Sequence, residues 1–295
     1  MSTVAVVAHA GKVLGGGLEE LRAVLQREGV SQPLWYEVPK SKKAKKRARE
    51  ALEAGADLVF VWGGDGMVQR CVDALAGRGA AIAILPAGTG NLLAVNLGIP
   101  ADIEKAVRIG LHGARRALDT GVMNGEHFAV MAGAGFDARM IRDADGRLKR
   151  RLGRLAYIWA GVRNLRSPRV KASVRIDGKL WFDGRLSMVL VGNVGSMFGG
   201  ITAFKGARPD DGRLEVGVVT AQGSWQWLRA LASTTLGRPQ RSPFVEMTGA
   251  REIDVRLKRP LPYELDGGDR KPTDRLRSRV EPAAIEVCVP EDDTG

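Results

Sequence analysis

Trp62-Gly63-Gly64-Asp65-Gly66 and Pro86-Ala87-Gly88-Thr89-Gly90-Asn91 decide how this chain is read. Each follows a short apolar run, Leu58 to Trp62 and Ala80 to Leu85, and each opens a segment with helical spacing. A helix N-terminus behind a glycine turn points unpaired backbone N–H groups outward, and the aligned peptide dipoles favour an anion there. One such turn often does no more than close a strand-to-helix connection. Two on successive units fall together at the carboxyl ends of a parallel sheet, where ligands bind, and point to a nucleotide phosphate.

Working outward, the first part alternates strand and helix. The patterns predict strand Val4 to Ala8, helix Leu18 to Glu28, strand Leu34 to Val38, helix Lys42 to Ala54 and strand Leu58 to Trp62. They continue with helix Met67 to Leu75, strand Ala80 to Leu85, and helices Leu92 to Leu97 and Ile103 to Leu111. That is a doubly wound parallel α/β domain, assigned to residues 1–121. After Leu118-Asp119-Thr120-Gly121 the texture changes to short strands separated by Asn124-Gly125, Asp177-Gly178, Asp183-Gly184 and Asp211-Gly212. These are hairpin signals, so residues 122–295 are expected to form an antiparallel β-sandwich domain, with the extreme C-terminus free to pack back on the first domain. Helical insertions are expected around Arg154 to Asn164 and around Ser224 to Leu236. Trp225, Trp227, Leu228, Leu231 and Leu236 in the latter read as a cover over a sheet, with an acyl-chain cavity as the other option.

The 295 residues carry 44% hydrophobic and 26% charged side chains, ordinary for a globular protein, and the length suits two domains. No apolar stretch nears the roughly 20 residues that span a bilayer. Ser2-Thr3-Val4-Ala5-Val6-Val7 reads as a first strand, with neither a basic leader nor a secretory apolar core, and the expectation is a cytoplasmic protein. Cys71 and Cys288 have no disulfide or metal spacing and read as packing residues. The net charge of +12 attracts polyanions. Lys40, Lys42, Lys43, Lys45, Lys46, Arg47 and Arg49 read as a solvated helix face before they read as a binding patch. The run Arg147 to Trp159 mixes cations with apolar residues, as surface helices on anionic lipid do, although core packing of its apolar side fits equally. There is no helix-turn-helix, zinc-ligand or RNP-like pattern, so no nucleic-acid partner is expected.

Taken together, these segments resemble the diacylglycerol kinase catalytic-domain family, which includes bacterial lipid kinases and the sphingosine kinases. Gly63-Gly64-Asp65-Gly66 resembles its GGDGT motif and Pro86 to Ala94 its PxGTxN motif. Phe128 to Asp137 resembles the family's entry into its second domain, and Leu152-Gly153-Arg154-Leu155-Ala156-Tyr157 its LGxLAY segment. Gly199-Gly200 with Ala207 to Gly212 is similar to its glycine-rich and DDG stretches, and Tyr263-Glu264-Leu265-Asp266-Gly267 to its late xDGE motif.

The resemblance implies transfer of the γ-phosphoryl group of ATP to a lipid hydroxyl, in a nucleotide cleft between the two domains. It places the nucleotide on His9, Gly11 and Lys12, on Gly63, Gly64, Asp65, Gly66 and Met67, and on Gly88, Thr89, Gly90 and Asn91. Glycine lets the backbone approach phosphate oxygens, and Asp65 suits Mg²⁺ or donor orientation. Thr89 can bond a phosphate or the ribose; Asn91 can equally be a helix cap, and His9 a packed or solvated side chain. Phosphoryl transfer asks chiefly for positioning and charge neutralisation. Asp266 is implied as the base, with Asp65 as its catalytic companion; a tight Asp-Gly turn is the competing explanation of Asp266. A structural Mg²⁺ is implied on the Asp211 carboxylate with the carbonyls of Arg208 and Arg213.

Three positions depart from the family. The Thr of GGDGT is Met67, the Glu of xDGE is Gly268 with Asp269 one residue on, and the NPxSG segment is Ala8-His9-Ala10-Gly11-Lys12. The leading expectation is a lipid kinase on diacylglycerol or a similar lipid, using ATP and Mg²⁺ and visiting the anionic inner face of the membrane. The alternative is a nucleotide- or lipid-binding protein of the same fold with weak or lost turnover. Oligomeric state stays open, a homodimer being one option.

Overall fold

The structure is a computed structural model that describes residues 3–135, 169–197, 201–235 and 242–291. The chain divides into two compact units, one of residues 1–120, 127–129 and 281–295, the other of residues 121–126 and 130–280.

In the first unit β1 (Val4–His9), α1 (Gly17–Arg27), β2 (Leu34–Val38), α2 (Ala44–Glu53), β3 (Leu58–Gly63), α3 (Asp65–Leu75) and β4 (Ala81–Pro86) alternate as the hydrophobic pattern predicts. A short helix α4 (Leu92–Asn96), then α5 (Ile103–His112), lead into β5 (Ala114–Met123). The strands lie parallel in the order β2, β1, β3, β4, with Val6 opposite both Trp35 and Phe60, and Phe60 opposite Ala83. Residues 281–289 return to this unit and run parallel to β4, Glu286 beside Ala81 and Val287 beside Ile82. Every residue of β3 and β4 is buried, as strands covered on both faces must be. Helices α1 and α5 pack together, as do α2 and α3, which makes the sheet doubly wound. The strand order reverses between β1 and β3, so the ligand crevice of such a sheet belongs at their carboxyl ends.

Two expected helix starts shift, each for a local reason. Helix α3 begins at Asp65, because extended Gly64 already serves as its N-cap. Helix α2 begins at Ala44, because Ser41–Lys43 forms a separate 3₁₀ turn. Cys71 and Cys288 are fully buried, and burial pushes the Cys71 thiol up to about 12.

An ionic cluster holds the returning segments. The Asp73 carboxylate accepts from Lys45 Nζ (2.5 Å) and from the His127 backbone N–H (3.0 Å), and faces His127 Nδ1 at 3.2 Å. His127 Nε2 lies 3.4 Å from Glu281, and Gln69 donates to the His127 carbonyl at 2.7 Å. Burial raises the Asp73 carboxyl, but the His127 and Lys45 hydrogen bonds outweigh it and hold the group far below the usual carboxylate range. A depressed pKa gives stability that is complete above the unfolded value of about 4 and is lost progressively as pH falls below it. Asp73→Ala leaves Lys45 unpaired, at a cost of about 3 to 5 kcal/mol. Calorimetry at pH 7 should show melting lowered by roughly 10 °C, and the gap from wild type should narrow as the pH is brought down toward 3.

In the second unit the strands are antiparallel. After β6 (Glu126–Phe128), which the unit boundary divides, come β7 (Met131–Ala134), β8 (Val170–Ile176), β9 (Lys179–Leu186) and β10 (Met188–Gly192). Then follow β11 (Ser196–Met197), β12 (Ile201–Thr202), β13 (Leu214–Val219), helix α6 (Gly223–Thr235), β14 (Val245–Ala250), β15 (Glu252–Leu265) and β16 (Gly268–Val289). Strands β14, β13, β10, β7 and β15 are neighbours in that order, while β8 and β9 add to β15. Strand β15 serves both groups: Ile253 to Leu257 pair with β8, and Tyr263 to Leu265 with β7. Its register with β16 slips between Arg256 and Tyr263, where Pro260 and Pro262 withhold ladder N–H groups.

Asn124-Gly125 and Asp177-Gly178 turn as expected, with positive φ at both residues of each pair, the mirror-image geometry that suits twisted hairpins. Asp183-Gly184 does not turn. It lies inside β9 opposite Ser173 and Ala172, because β8 runs unbroken beside it and buries Phe182 and Leu186 on either side. Asp211-Gly212 makes a turn that leads into β13 rather than a hairpin. Trp225 is 71% exposed and covers no sheet, against the expectation for that ring. The basic run 147–159, the insertion 154–164, Leu236 and Gly199-Gly200 lie outside the described residues. Among the described residues no helix is long and apolar enough to cross a membrane.

Candidate active site

Gly63 ends β3 and Pro86 ends β4, and the two turns that follow touch through their backbones. A Cβ on Gly88 would come within 2.3 Å of the Gly64 Cα and 2.6 Å of Asn91 Oδ1. These glycines therefore let one turn seat against the other, a demand separate from any ligand. The Ala87 N–H donates to the Gly63 carbonyl at 3.0 Å and fastens the seat.

Asp65 is the second fastening. Its Oδ1 accepts the Leu92 N–H at 2.5 Å, so the carboxylate opening α3 also caps α4, 27 residues away. Burial raises its carboxyl, while the backbone N–H groups of Leu92, Asp65 itself, Asn91 and Leu93 pull it back down. Asn91 adopts the left-handed conformation (φ 49°) before α4 and turns its side chain backwards into the loop. Its Oδ1 accepts from Gly88 N (2.9 Å), and its Nδ2 donates to the carbonyls of Pro86 and Gly88 (both 3.0 Å). Its side chain braces the turn and makes no capping bond to α4.

The β1 end joins the same region. His9 Nδ1 accepts the Gly11 N–H at 3.1 Å, Lys12 N donates to the His9 carbonyl at 3.0 Å, and Trp62 Nε1 donates to the Lys12 carbonyl at 3.1 Å. His9 thus shapes its own turn; Lys12 in that turn and Thr89 in the second glycine turn are exposed. Gly66 has room: a Cβ there would meet only Ser41, at 3.8 Å. Ser41 is a neighbour of this site that sequence reasoning missed; the break in helical pattern before Ala44 was its one signal.

Met67 is 1% exposed, and its side chain lies where a Cβ on Gly63 would go, at 2.4 Å. The residue that departs from the family motif is a core side chain here. Met67→Thr should cost about 2 to 3 kcal/mol of stability through lost packing, read as a melting temperature lowered by several degrees.

Asp266 belongs to the second unit, where Asp266-Gly267 forms the two-residue turn between β15 and β16, with φ of 45° and 75°. Its side chain is buried, Oδ1 accepting the N–H groups of Val130 (3.0 Å) and Met131 (2.8 Å), while its own N–H donates to the Met131 carbonyl at 2.8 Å. Beyond the turn, Arg270 donates to the Gly268 carbonyl at 2.9 Å and binds both oxygens of Glu126 at 2.8 Å. A side chain at Gly268 would press on Arg270 Nη1, 3.0 Å from its Cβ.

Around Asp211, Oδ1 accepts the Arg213 N–H at 3.0 Å. The flanking guanidinium groups have other partners, Arg208 facing Asp210 at 3.3 Å and Arg213 donating to the Gly249 carbonyl at 3.1 Å. The Glu215 carboxyl sits above the usual range through burial and the Asp211 charge. Among the described residues no three His, Cys, Asp or Glu side chains converge as a metal cluster.

The model of the diacylglycerol kinase catalytic domain matches residues 6–123, and that of the YegS C-terminal NAD kinase beta sandwich-like domain matches residues 130–289. The chain belongs to the diacylglycerol kinase and YegS-like lipid kinase family. Diacylglycerol kinase of Bacillus subtilis (strain 168) is 31% identical over 228 residues, covering 75% of this chain and 74% of its own. A protein of Pseudomonas aeruginosa (strain UCBPP-PA14) named "Probable lipid kinase YegS-like" is 31% identical over 299 residues, covering 97% and 94%. The fold agrees: a solved diacylglycerol kinase structure from Bacillus anthracis str. Sterne superposes with a TM-score of 0.75 at 19% identity, covering 98% of this chain and 97% of that one. An NAD kinase from Archaeoglobus fulgidus, solved in complex with ATP, follows at 0.55 and 12% identity, covering 97% and 93%. The α/β unit with parallel strands and the antiparallel β-sandwich unit are thus the two domains of this lipid kinase family.

Proposed function

We propose that this lipid kinase family member transfers the γ-phosphoryl group of ATP to the hydroxyl of diacylglycerol or a related single-hydroxyl lipid. The observation that carries the reading is the seating of Gly64 against Gly88, which brings two amide-bearing turns together at the carboxyl ends of adjacent parallel strands. The ATP bound to the NAD kinase of like fold supports an adenine nucleotide as donor.

In this reading His9, Gly11, Lys12, Gly63 to Gly66 and Gly88 to Gly90 hold the nucleotide, with Met67 packed beneath the first turn and Asn91 bracing the second. The N-terminus of α3 faces phosphate oxygens, Lys12 adds a cation, and Thr89 bonds a phosphate or the ribose. Asp65 keeps the two turns in one arrangement, which is what phosphoryl transfer asks of the protein. Asp266 takes the proton of the acceptor hydroxyl as that oxygen bonds to the γ-phosphorus and the bond to the departing ADP oxygen breaks; its two backbone N–H partners fix the carboxylate's orientation.

Mg²⁺ suits the triphosphate, whose charge it neutralises. Asp65, already oriented by the Leu92 amide, would be the residue that holds it, and the ion would supply charge neutralisation to the phosphates. A structural Mg²⁺ would be held by Asp211 with the carbonyls of Arg208 and Arg213, the Arg213 guanidinium being taken up by the Gly249 carbonyl and that of Arg208 facing the Asp210 carboxylate. The acceptor would be met at the anionic inner face of the membrane, by a protein otherwise cytoplasmic.

The test is transfer of labelled γ-phosphate to lipids in mixed micelles by the purified chain. Transfer to a lipid supports the proposal. ATP binding without transfer to any lipid would move the conclusion to the second reading, a binding protein without turnover, which Met67 and the obstructed Gly268 favour.

A further inference from the structure

Strands β9, β8, β15 and the first half of β16 form an amphipathic layer within the second unit. One face is apolar and buried, with Ala172, Val174, Phe182, Ile253, Val255 and Leu276 on it. The register assigns the opposite face: Asp254 lies opposite both Arg175 and Arg277, Arg256 opposite both Ser173 and Arg275, Glu252 opposite Arg279, and Lys171 opposite Arg185.

That face is strongly cationic. Arg275 donates from Nε and Nη2 to the two oxygens of Asp254, at 2.8 and 2.7 Å, so these two charges offset each other. Lys171, Arg175, Arg185, Arg256, Arg277 and Arg279 are exposed around the pair, against the exposed carboxylates of Asp183 and Glu252, a surplus of four. The Arg275 hydrogen bond and the nearby Arg256 and Arg277 charges hold the Asp254 carboxyl below its usual range, so even the central acid is overmatched. Arg256, opposite Arg275 in the register, also reaches the Asp254 carboxylate, at 3.6 Å, so a single acid serves two cations of the face. A surface on which cations outnumber acids in this way gains from an anionic partner.

We propose that this β-sheet face docks on an anionic lipid bilayer. A sheet presents its charges side by side in one layer, suited to a planar array of headgroups, and each Lys or Arg brought to such a surface adds attraction that salt screens. The choice of bilayer over nucleic acid rests on the proposed lipid-kinase function; the charge arrangement does not depend on it.

The test compares two triple variants of equal net charge, R175Q/R256Q/R277Q on the sheet and K46Q/R47Q/R49Q on α2. Both are checked for an unchanged circular dichroism spectrum and melting temperature, then sedimented with vesicles of phosphatidylglycerol and phosphatidylcholine, and with phosphatidylcholine alone. The sheet variant should lose about a hundredfold in affinity for the anionic vesicles, the α2 variant less than threefold, and added salt should release the wild type. Equal losses in both variants, or none in the sheet variant, overturn the proposal. So does a wild type that binds duplex DNA more tightly than anionic vesicles and loses that binding in the sheet variant. Phosphoryl transfer to a short-chain, water-soluble diacylglycerol needs no bilayer. If the wild type fails there while the vesicle result holds, the function falls and the docking face stands.

Discussion

Asp266→Asn should lower kcat for lipid phosphorylation by about a thousandfold while the protein stays folded. Asn-Gly is the favoured pair for a turn with positive φ at both residues, so the hairpin between β15 and β16 survives. The amide oxygen can still accept from Val130 and Met131, and melting should fall by only a few degrees because an uncharged acceptor bonds more weakly. The substitution removes basicity and little else. If Asp266 is a turn residue alone, kcat in the labelled-phosphate assay will be unchanged, and the assignment of the base is wrong.

The other large effect is expected at Gly88. In Gly88→Val the new Cβ meets the Gly64 Cα and Asn91 Oδ1, and the obstacle on the Gly64 side is backbone, which cannot rotate away. The turns must part, the Asn91 bonds to Gly88 and Pro86 are disturbed, and calorimetric affinity for Mg-ATP should fall at least a hundredfold together with a lowered melting temperature. Gly66→Ala is the informative contrast. Its Cβ has ordinary contact distances to Ser41, and alanine favours a helix over glycine by about 0.5 to 1 kcal/mol, so stability should hold or rise. A tenfold loss of ATP affinity in that stable variant would locate the ligand against the start of α3.

Much of the fold was legible because buried parallel strands are continuous apolar runs, and Leu58 to Trp62 and Ala80 to Leu85 could be little else. Asn124-Gly125 was legible because its conformation is a local property. Asp183-Gly184 misled for the converse reason: the same local preference yielded to pairing with β8, a neighbour that no short window contains. The site was half legible. Glycines marked both turns, yet their contact with each other, and the reach of Asp65 to an amide 27 residues on, exist only in three dimensions. Met67 read as a departure from the family's Thr, whereas burial makes it a packing residue. The cationic layer did leave a trace, Arg275, Arg277 and Arg279 at every second position of β16, but Leu276 and Ser278 between them had first to be known as buried.

The return of residues 281–289 to the first unit has a consequence for biosynthesis. While the ribosome makes the long intervening stretch, β4 waits with one flank of N–H and C=O groups unmet, an open template for the strands of other nascent chains. Shielding by a chaperone, or rapid synthesis of the second unit, then decides how much newly made protein escapes aggregation, and cutting synthesis short at residue 280 should send the product to inclusion bodies.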